Sequence, residues 1–166
     1  MSLGGQRLDA ARYQVVPRTL VFAFRDRRVL LQQVPSGRGA WAGLWNGIGG
    51  HVERGESTAG AARREFREET GLELRELHLA AEVIVDLGGS PGIGVSVFAG
   101  QAAEGAARPS AEGEVRWFSL EEALESPLVE DLPTLLPHVM AFVDGGRAFT
   151  AVYRYDSEGH LIIDMD

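Results

Sequence analysis

The chain contains no cysteine, which excludes disulfides, thiol nucleophiles and cysteine-ligated zinc and fits a reducing compartment. It also lacks any apolar run approaching the ~18 residues of a membrane helix. Its opening, MSLGGQRLDAARYQ, has no apolar signal-peptide core, so the expected location is the cytoplasm. Roughly the first 15 residues show no helix or strand pattern and are expected to be flexible. Positive charge is scarce as well: 16 basic against 24 acidic side chains leave a net charge of −8. Binding along a nucleic-acid backbone rests on an excess of basic residues, so neither a nucleic-acid polymer nor a membrane is an expected partner. A small anionic substrate stays open if a metal ion supplies positive charge locally. What is present, 166 residues with 45% hydrophobic and 24% charged, suffices for one soluble domain over residues 1–166.

Two apolar runs, TLVFAF from Thr19 and RVLLQQV from Arg28, flank RDR and read as strands joined by a tight turn. Residues 35–50, PSGRGAWAGLWNGIGG, read as a glycine-rich loop in which glycine supplies backbone freedom. Its tryptophans, Trp41 and Trp45, either stack on a flat ligand or cover the edge of the core. Residues 57–70 read as a helix with Ser57 as N-cap, Ala59, Ala62 and Phe66 at helical spacing, and Gly71 as C-terminal stop. Residues 79–87 and 94–99 read as strands around the connection GGSPGI, and VRWF as a short strand. SLEEAL suggests a turn or two of helix, residues 132–143 a longer helix, and FTAVYRY with HLIIDM a closing hairpin. Strands and helices mix without strict alternation, which predicts an α/β (α+β mixed) fold, a mixed sheet with helices packed on it.

The densest chemistry lies in GGHVERGESTAGAARREFREETGL, residues 49–72. Glu65, Glu68 and Glu69 share one helical face, where like charges repel by a few tenths of a kcal/mol per exposed pair. Such a trio is either a solvated charged face or an oxygen-only donor set, which suits Mg²⁺ or Mn²⁺ and not zinc. Arg64 is placed to pair with Glu56 and tie the preceding loop to the helix. The histidines, His51 among them, show no metal-ligand spacing.

The order Gly50, Glu56, Arg64, Glu65, Glu68, Glu69, Thr70, Gly71 and Leu72 resembles the signature of the Nudix hydrolases, which cleave nucleoside diphosphates linked to another moiety. Phe66 stands where that family usually has an aliphatic residue. The resemblance implies a three-layer sandwich with a mixed β-sheet between helices. It also implies Mg²⁺ held by Glu65, Glu68, Glu69 and the Gly50 carbonyl, with water attacking a phosphorus of the anhydride. Glu69 is the first candidate for the base or base-positioning ligand, with Glu68 and Arg64 in the same machinery. A further carboxylate from a later loop, Glu112 or Glu114, completes the implied set.

LWNGIGGHVERGE is similar to the entry of the oxidised-purine nucleoside triphosphatases within that family, and weaker likeness runs through both flanks. The implied substrate is a purine nucleoside triphosphate such as 8-oxo-dGTP, with ADP-ribose or another nucleotide as the rival and a non-catalytic nucleotide sensor as the second rival. In that subfamily the base is read by an Asn, here Asn46, and by two adjacent Asp residues. Counting from Trp117 brings Asp131 to the first place and Leu132 to the second, with Glu130 the nearest substitute. Trp41 and Thr19 complete the implied binding residues. The residues alone leave Asn46 open as a turn former and Asp131 as a helix N-cap.

Overall fold

The computed structural model describes residues 9–166. The expectation of a flexible start falls partly on residues 1–8, which lie outside the described residues. Residues 9–14 are tied to the sheet through Gln14, whose N–H donates to Ser90 Oγ at 3.2 Å and whose carbonyl accepts from Gly92 N at 2.8 Å.

Strand β1 (Val15–Arg25) runs into β2 (Arg28–Gln33) through Asp26 and Arg27, both at positive φ, as a two-residue hairpin turn of the primed type demands. After a 3-10 turn at Gly39–Trp41 come the short strands β3 (Trp45–Asn46) and β4 (Ile48–His51), then helix α1 (Thr58–Thr70). Strands β5 (Leu74–Val85) and β6 (Gly92–Ala102) form a long antiparallel pair. They are followed by β7 (Val115–Phe118), α2 (Leu120–Leu124), α3 (Leu132–Val143) and the hairpin β8 (Phe149–Tyr155) and β9 (Leu161–Met165). The sheet order is β3-β2-β1-β6-β5-β8-β9, with β1 parallel to β6, β5 parallel to β8, and the remaining pairs antiparallel.

Alternation along β1 divides the core. Val21 and Ala23 face α1, whose Ala62 and fully buried Phe66 pack on them with Leu30, Ile48 and Phe98. Phe22 and Phe24 face the other way, toward Leu132, Leu135, Leu136 and Val139 of α3. The result is helix, mixed sheet, helix, as expected. Each large side chain buried this way contributes about 2–3 kcal/mol. Helix α1 begins and ends as its sequence dictates: Ser57 Oγ accepts from Gly60 N at 3.0 Å, and Gly71 closes it at φ 72° with its N–H on Arg67 O.

The glycine-rich segment is the main departure. Residues 45–46 and 48–51 are strand rather than loop, and Gly49 and Gly50 belong to β4. Two residues there are glycine for space. A Cβ on Gly49 would collide with the Thr19 carbonyl across the ladder, and one on Gly50 would collide with the Glu65 carboxylate of α1. Low strand propensity hides such positions in a sequence, whereas close backbone approach requires them. The β4 ladder matters because β4 and β2 share one edge of β1: residues Arg18 to Val21 pair with β4, and Ala23 to Arg25 with β2. Gly49→Ala is therefore expected to lower stability by about 1–3 kcal/mol in a denaturant titration, the range for forced overpacking; an unchanged midpoint would contradict the close approach.

Candidate active site

Helix α1 carries its carboxylates in three different environments. Arg64 sits at the centre, its Nε and Nη2 on Glu56 at 2.8 and 3.0 Å and its Nη1 on Glu65 at 2.9 Å and Glu68 at 3.3 Å. Its Nη2 also donates to the His51 carbonyl of β4 at 3.1 Å. The expected Arg64–Glu56 pair is thus present as a two-point fork, the geometry in which arginine holds a carboxylate best. Glu53, for which the sequence suggests no role, exchanges hydrogen bonds with Glu56 and so squares off the loop. Arg64, with its three carboxylates, is held even more firmly in its charged form, and Glu56 is drawn below its usual range by Arg64 and then by the Glu53 N–H.

Glu69 is different. It is 6% exposed, its Oε2 has no hydrogen-bond partner, and burial followed by the charge of Glu65 pushes its pKa up to about 8. Glu112 adds to the rise, while the Gln32 amide opposes it. The Gln32 Nε2 is itself buried without a hydrogen bond of ordinary geometry. Glu65, Glu68 and Glu69 do not converge on one point: among the described residues, the only set of three such ligands within 4.8 Å is Asp156, Glu158 and His160 in the exposed β8–β9 turn. The donor chemistry around Glu69 nevertheless fits a hard divalent cation. Its donors are all oxygens, one of them buried and unpaired, and the missing Cβ of Gly50 brings that backbone against the Glu65 carboxylate.

A cavity of about 570 Å³ begins at Gly50 and Glu69 and runs across the α3 face of the sheet. Its floor is apolar, with Leu20, Val83, Val85, Val95 and Val97, and its polar groups lie around this floor. Thr19, Gly50, Glu69 and Glu112 line it, as do Asn46, Trp41, Glu130 and Asp131, so residues from β1, β3, β4, α1 and three loops meet in one space. Glu65, Glu68 and Arg64 do not line it. Glu112 lines the cavity with its carboxylate on Arg38 at 2.8 Å, whereas Glu114, two residues on, lines a separate small hollow beside Gln33.

The tryptophans part ways. Trp45 is buried edge-on against Phe118, with ring centres 4.9 Å apart, and Trp41 is 43% exposed at the cavity. Asp131 occupies the N-cap position of α3 without capping it; its side chain makes no bond to the helix. Burial first, and then the neighbouring Glu130, raise its pKa to about 6. Asn46 Oδ1 accepts from Gly47 N at 2.8 Å.

Arg18, Gln32, Tyr153 and Tyr155 also line the cavity, and sequence reasoning passes over them. The available signal was a polar residue inside an otherwise apolar strand. Buried side-chain atoms without partners concentrate here: Arg18 Nε, Thr19 Oγ1, Gln32 Nε2, Glu69 Oε2 and Tyr153 OH, with only Arg25 Nε elsewhere among the described residues. Each such atom costs about 1–3 kcal/mol, so their gathering in one cavity marks a place made for a polar ligand.

A fold of this order with this charged helix defines a Nudix domain, and the family model for the NUDIX domain matches residues 15–139. The chain belongs to the Nudix hydrolase family. It is 37% identical over 105 residues to the oxidized purine nucleoside triphosphate hydrolase of Mus musculus, which covers 63% of this chain and 66% of that protein. The chain thus spans a little under two thirds of that relative's length. The CTP pyrophosphohydrolase of Escherichia coli K12 is 35% identical over 127 residues, 67% of this chain and 82% of that one. The mutator MutT protein from Bacillus halodurans superposes with a TM-score of 0.76 at 26% identity, covering 92% and 98% of the two chains.

Burial of Glu69 has a consequence for the metal-free protein. The folded state binds its proton more tightly than the unfolded chain, so the resulting stabilisation is complete near the ordinary carboxylate pKa and is lost as pH rises through about 8. In the presence of EDTA, melting temperature should fall between about pH 6.5 and 8.5, above the range in which Asp131 titrates. Glu69→Gln should flatten that fall, and an unaltered slope would contradict a buried, unpaired carboxylate.

Proposed function

We propose that residues 1–166 form a single Nudix domain acting in the cytoplasm as a Mg²⁺-dependent pyrophosphohydrolase, with Mn²⁺ able to substitute. The reaction is cleavage of a nucleoside triphosphate, a purine such as 8-oxo-dGTP, to the monophosphate and pyrophosphate. The observation that carries this reading is the one cavity that Glu69, Gly50, Asn46 and Asp131 line together. Carboxylates suited to a metal-bound phosphate and polar groups suited to a base in one apolar-floored space fit a nucleotide, and 570 Å³ lies within the usual size of ligand pockets.

Glu65, Glu68, Glu69 and the Gly50 carbonyl would hold the metal. Bound there, a divalent ion neutralises phosphate charge and lowers the pKa of water. The chain's own groups do the rest. Arg64 keeps Glu65 and Glu68 oriented and fastens α1 to β4 through the His51 carbonyl. Glu69, turned into the cavity, takes the proton of the attacking water, and Glu112 faces it from the loop before β7. Thr19 sits at the phosphate end, and Trp41 offers a flat face at the mouth. Asn46 and Asp131, with Glu130 beside them, meet the base. Similarity to the mouse enzyme supports the choice of an oxidised purine, and similarity to the bacterial CTP enzyme makes a pyrimidine the comparison that matters most.

The test is turnover of 8-oxo-dGTP, dGTP, dATP, CTP and ADP-ribose with Mg²⁺. Expected is pyrophosphate release, fastest with the oxidised purine. Glu69→Gln should slow it by roughly 10²–10⁴, as loss of a general base does. Asn46→Ala should level the rates among bases while hydrolysis continues. No turnover of any of these compounds would sink the hydrolase reading.

A further inference from the structure

The β8–β9 hairpin lies beyond residue 139, where the family match ends, yet it sends two side chains to the cavity, Tyr153 and Tyr155. Two residues apart on one strand, they share a face, and they meet the consecutive acids that precede α3. The two encounters differ. Tyr155, 40% exposed, donates to Glu130 Oε1 at 2.6 Å, a completed bond between a rim tyrosine and a carboxylate. Tyr153 is 5% exposed, and its hydroxyl, near the Asp131 carboxylate, makes no hydrogen bond of ordinary geometry. A buried phenol without a partner, lining a cavity, is a polar group kept for a ligand.

The neighbouring groups say what that ligand presents. Asn46 has its oxygen engaged by the Gly47 N–H, which leaves its NH₂ to donate. The Asp131 side chain makes no bond to its helix and offers acceptor oxygens. The Tyr153 hydroxyl rotates and can donate or accept. A base edge that answers this array carries a carbonyl for Asn46 and an N–H for Asp131. An adenine-type edge carries an amino group and an unprotonated ring nitrogen instead, and so sets donor against donor and acceptor against acceptor. Sites built on buried hydrogen bonds reject such mismatches strongly because their own polar groups go unpaired.

We propose that Tyr153 is a specificity-determining residue, its hydroxyl reading, with Asp131 and Asn46, the lactam edge of a guanine-type base. The Tyr155–Glu130 bond fastens the rim of the hairpin to the loop before α3 and takes no part in reading the base. The proposal rests on the nucleotide reading given above and deepens it by adding a base-reading residue from outside the family stretch.

The experiment is calorimetric titration of the full chain in EDTA with GMP and AMP as probes, so that binding is read apart from hydrolysis. Wild type should bind GMP more tightly than AMP. Tyr153→Phe, which keeps the ring, should weaken GMP about 10-fold, the loss of one good hydrogen bond, and leave AMP nearly unchanged. Tyr155→Phe should lower the melting temperature and keep the ratio of the two affinities. Unchanged affinities in Tyr153→Phe, an equal loss for both probes, or no binding of either by wild type would overturn the proposal. So would a loss of the ratio in Tyr155→Phe but not in Tyr153→Phe. Turnover with Mg²⁺ separates the two readings: hydrolysis with a base preference that Tyr153→Phe leaves intact overturns this inference alone. A base-dependent change in binding with no hydrolysis overturns the hydrolase reading alone.

Discussion

The wall of the cavity around Glu69 depends on how closely α1 approaches β4. The Glu65 carboxylate occupies the space that a side chain on Gly50 would fill, and Arg64, whose Nε and Nη2 reach Glu56 while Nη2 also reaches the β4 backbone, fixes the helix at that height. A carboxylate against a bare backbone is a costly arrangement in isolation, since three acids on one face repel. One guanidinium opposes it by bonding Glu65 and Glu68 of that face together with Glu56. Glu69 makes no bond to Arg64 and lines the cavity instead, with Glu65 as its charged neighbour.

The cavity inherits its form from the sheet. Because β2 and β4 divide one edge of β1 between them, Thr19 and Gln32 come near Gly50 while Arg18 and Leu20 face toward α3. The acids that line it, Glu69, Glu112, Glu130 and Asp131, outnumber Arg18 and Arg38, and Arg38 is already paired with Glu112. A phosphate chain entering such a space meets net negative charge, which is why a cation belongs to the reading of the site and not only to the family signature.

Local signals carried the parts of the fold that local physics decides. Ser57 and Gly71 bracket α1 in the sequence and in the structure, residues 115–118 and 132–143 are strand and helix as their patterns indicate, and the turn at RDR is a tight hairpin. Parts decided by distant partners were less legible. Strands β5 and β6 extend well past their apolar cores because each continues to find ladder bonds along the other. Strands β3 and β4 were hidden because glycine in a sequence does not reveal whether it serves flexibility or closeness. The same division holds at the site. Arg64 with Glu56 could be read from spacing, as both lie within one turn-and-helix unit. Which of Glu112 and Glu114 faces the cavity depends on the loop's path, and the parts played by Gln32, Arg18 and Tyr153 depend on which face of a strand becomes a floor.

The last hairpin shapes the cavity from outside the family stretch. Helix α1 and its acids lie inside the stretch that defines the family, while β8 and β9, which close the far end of the cavity, lie outside it. The hairpin thus adds Tyr153, Tyr155 and Leu161 to a cavity whose other lining residues lie within that stretch. A change in the hairpin would therefore reshape the cavity while leaving α1 and its contact with β4 as they are.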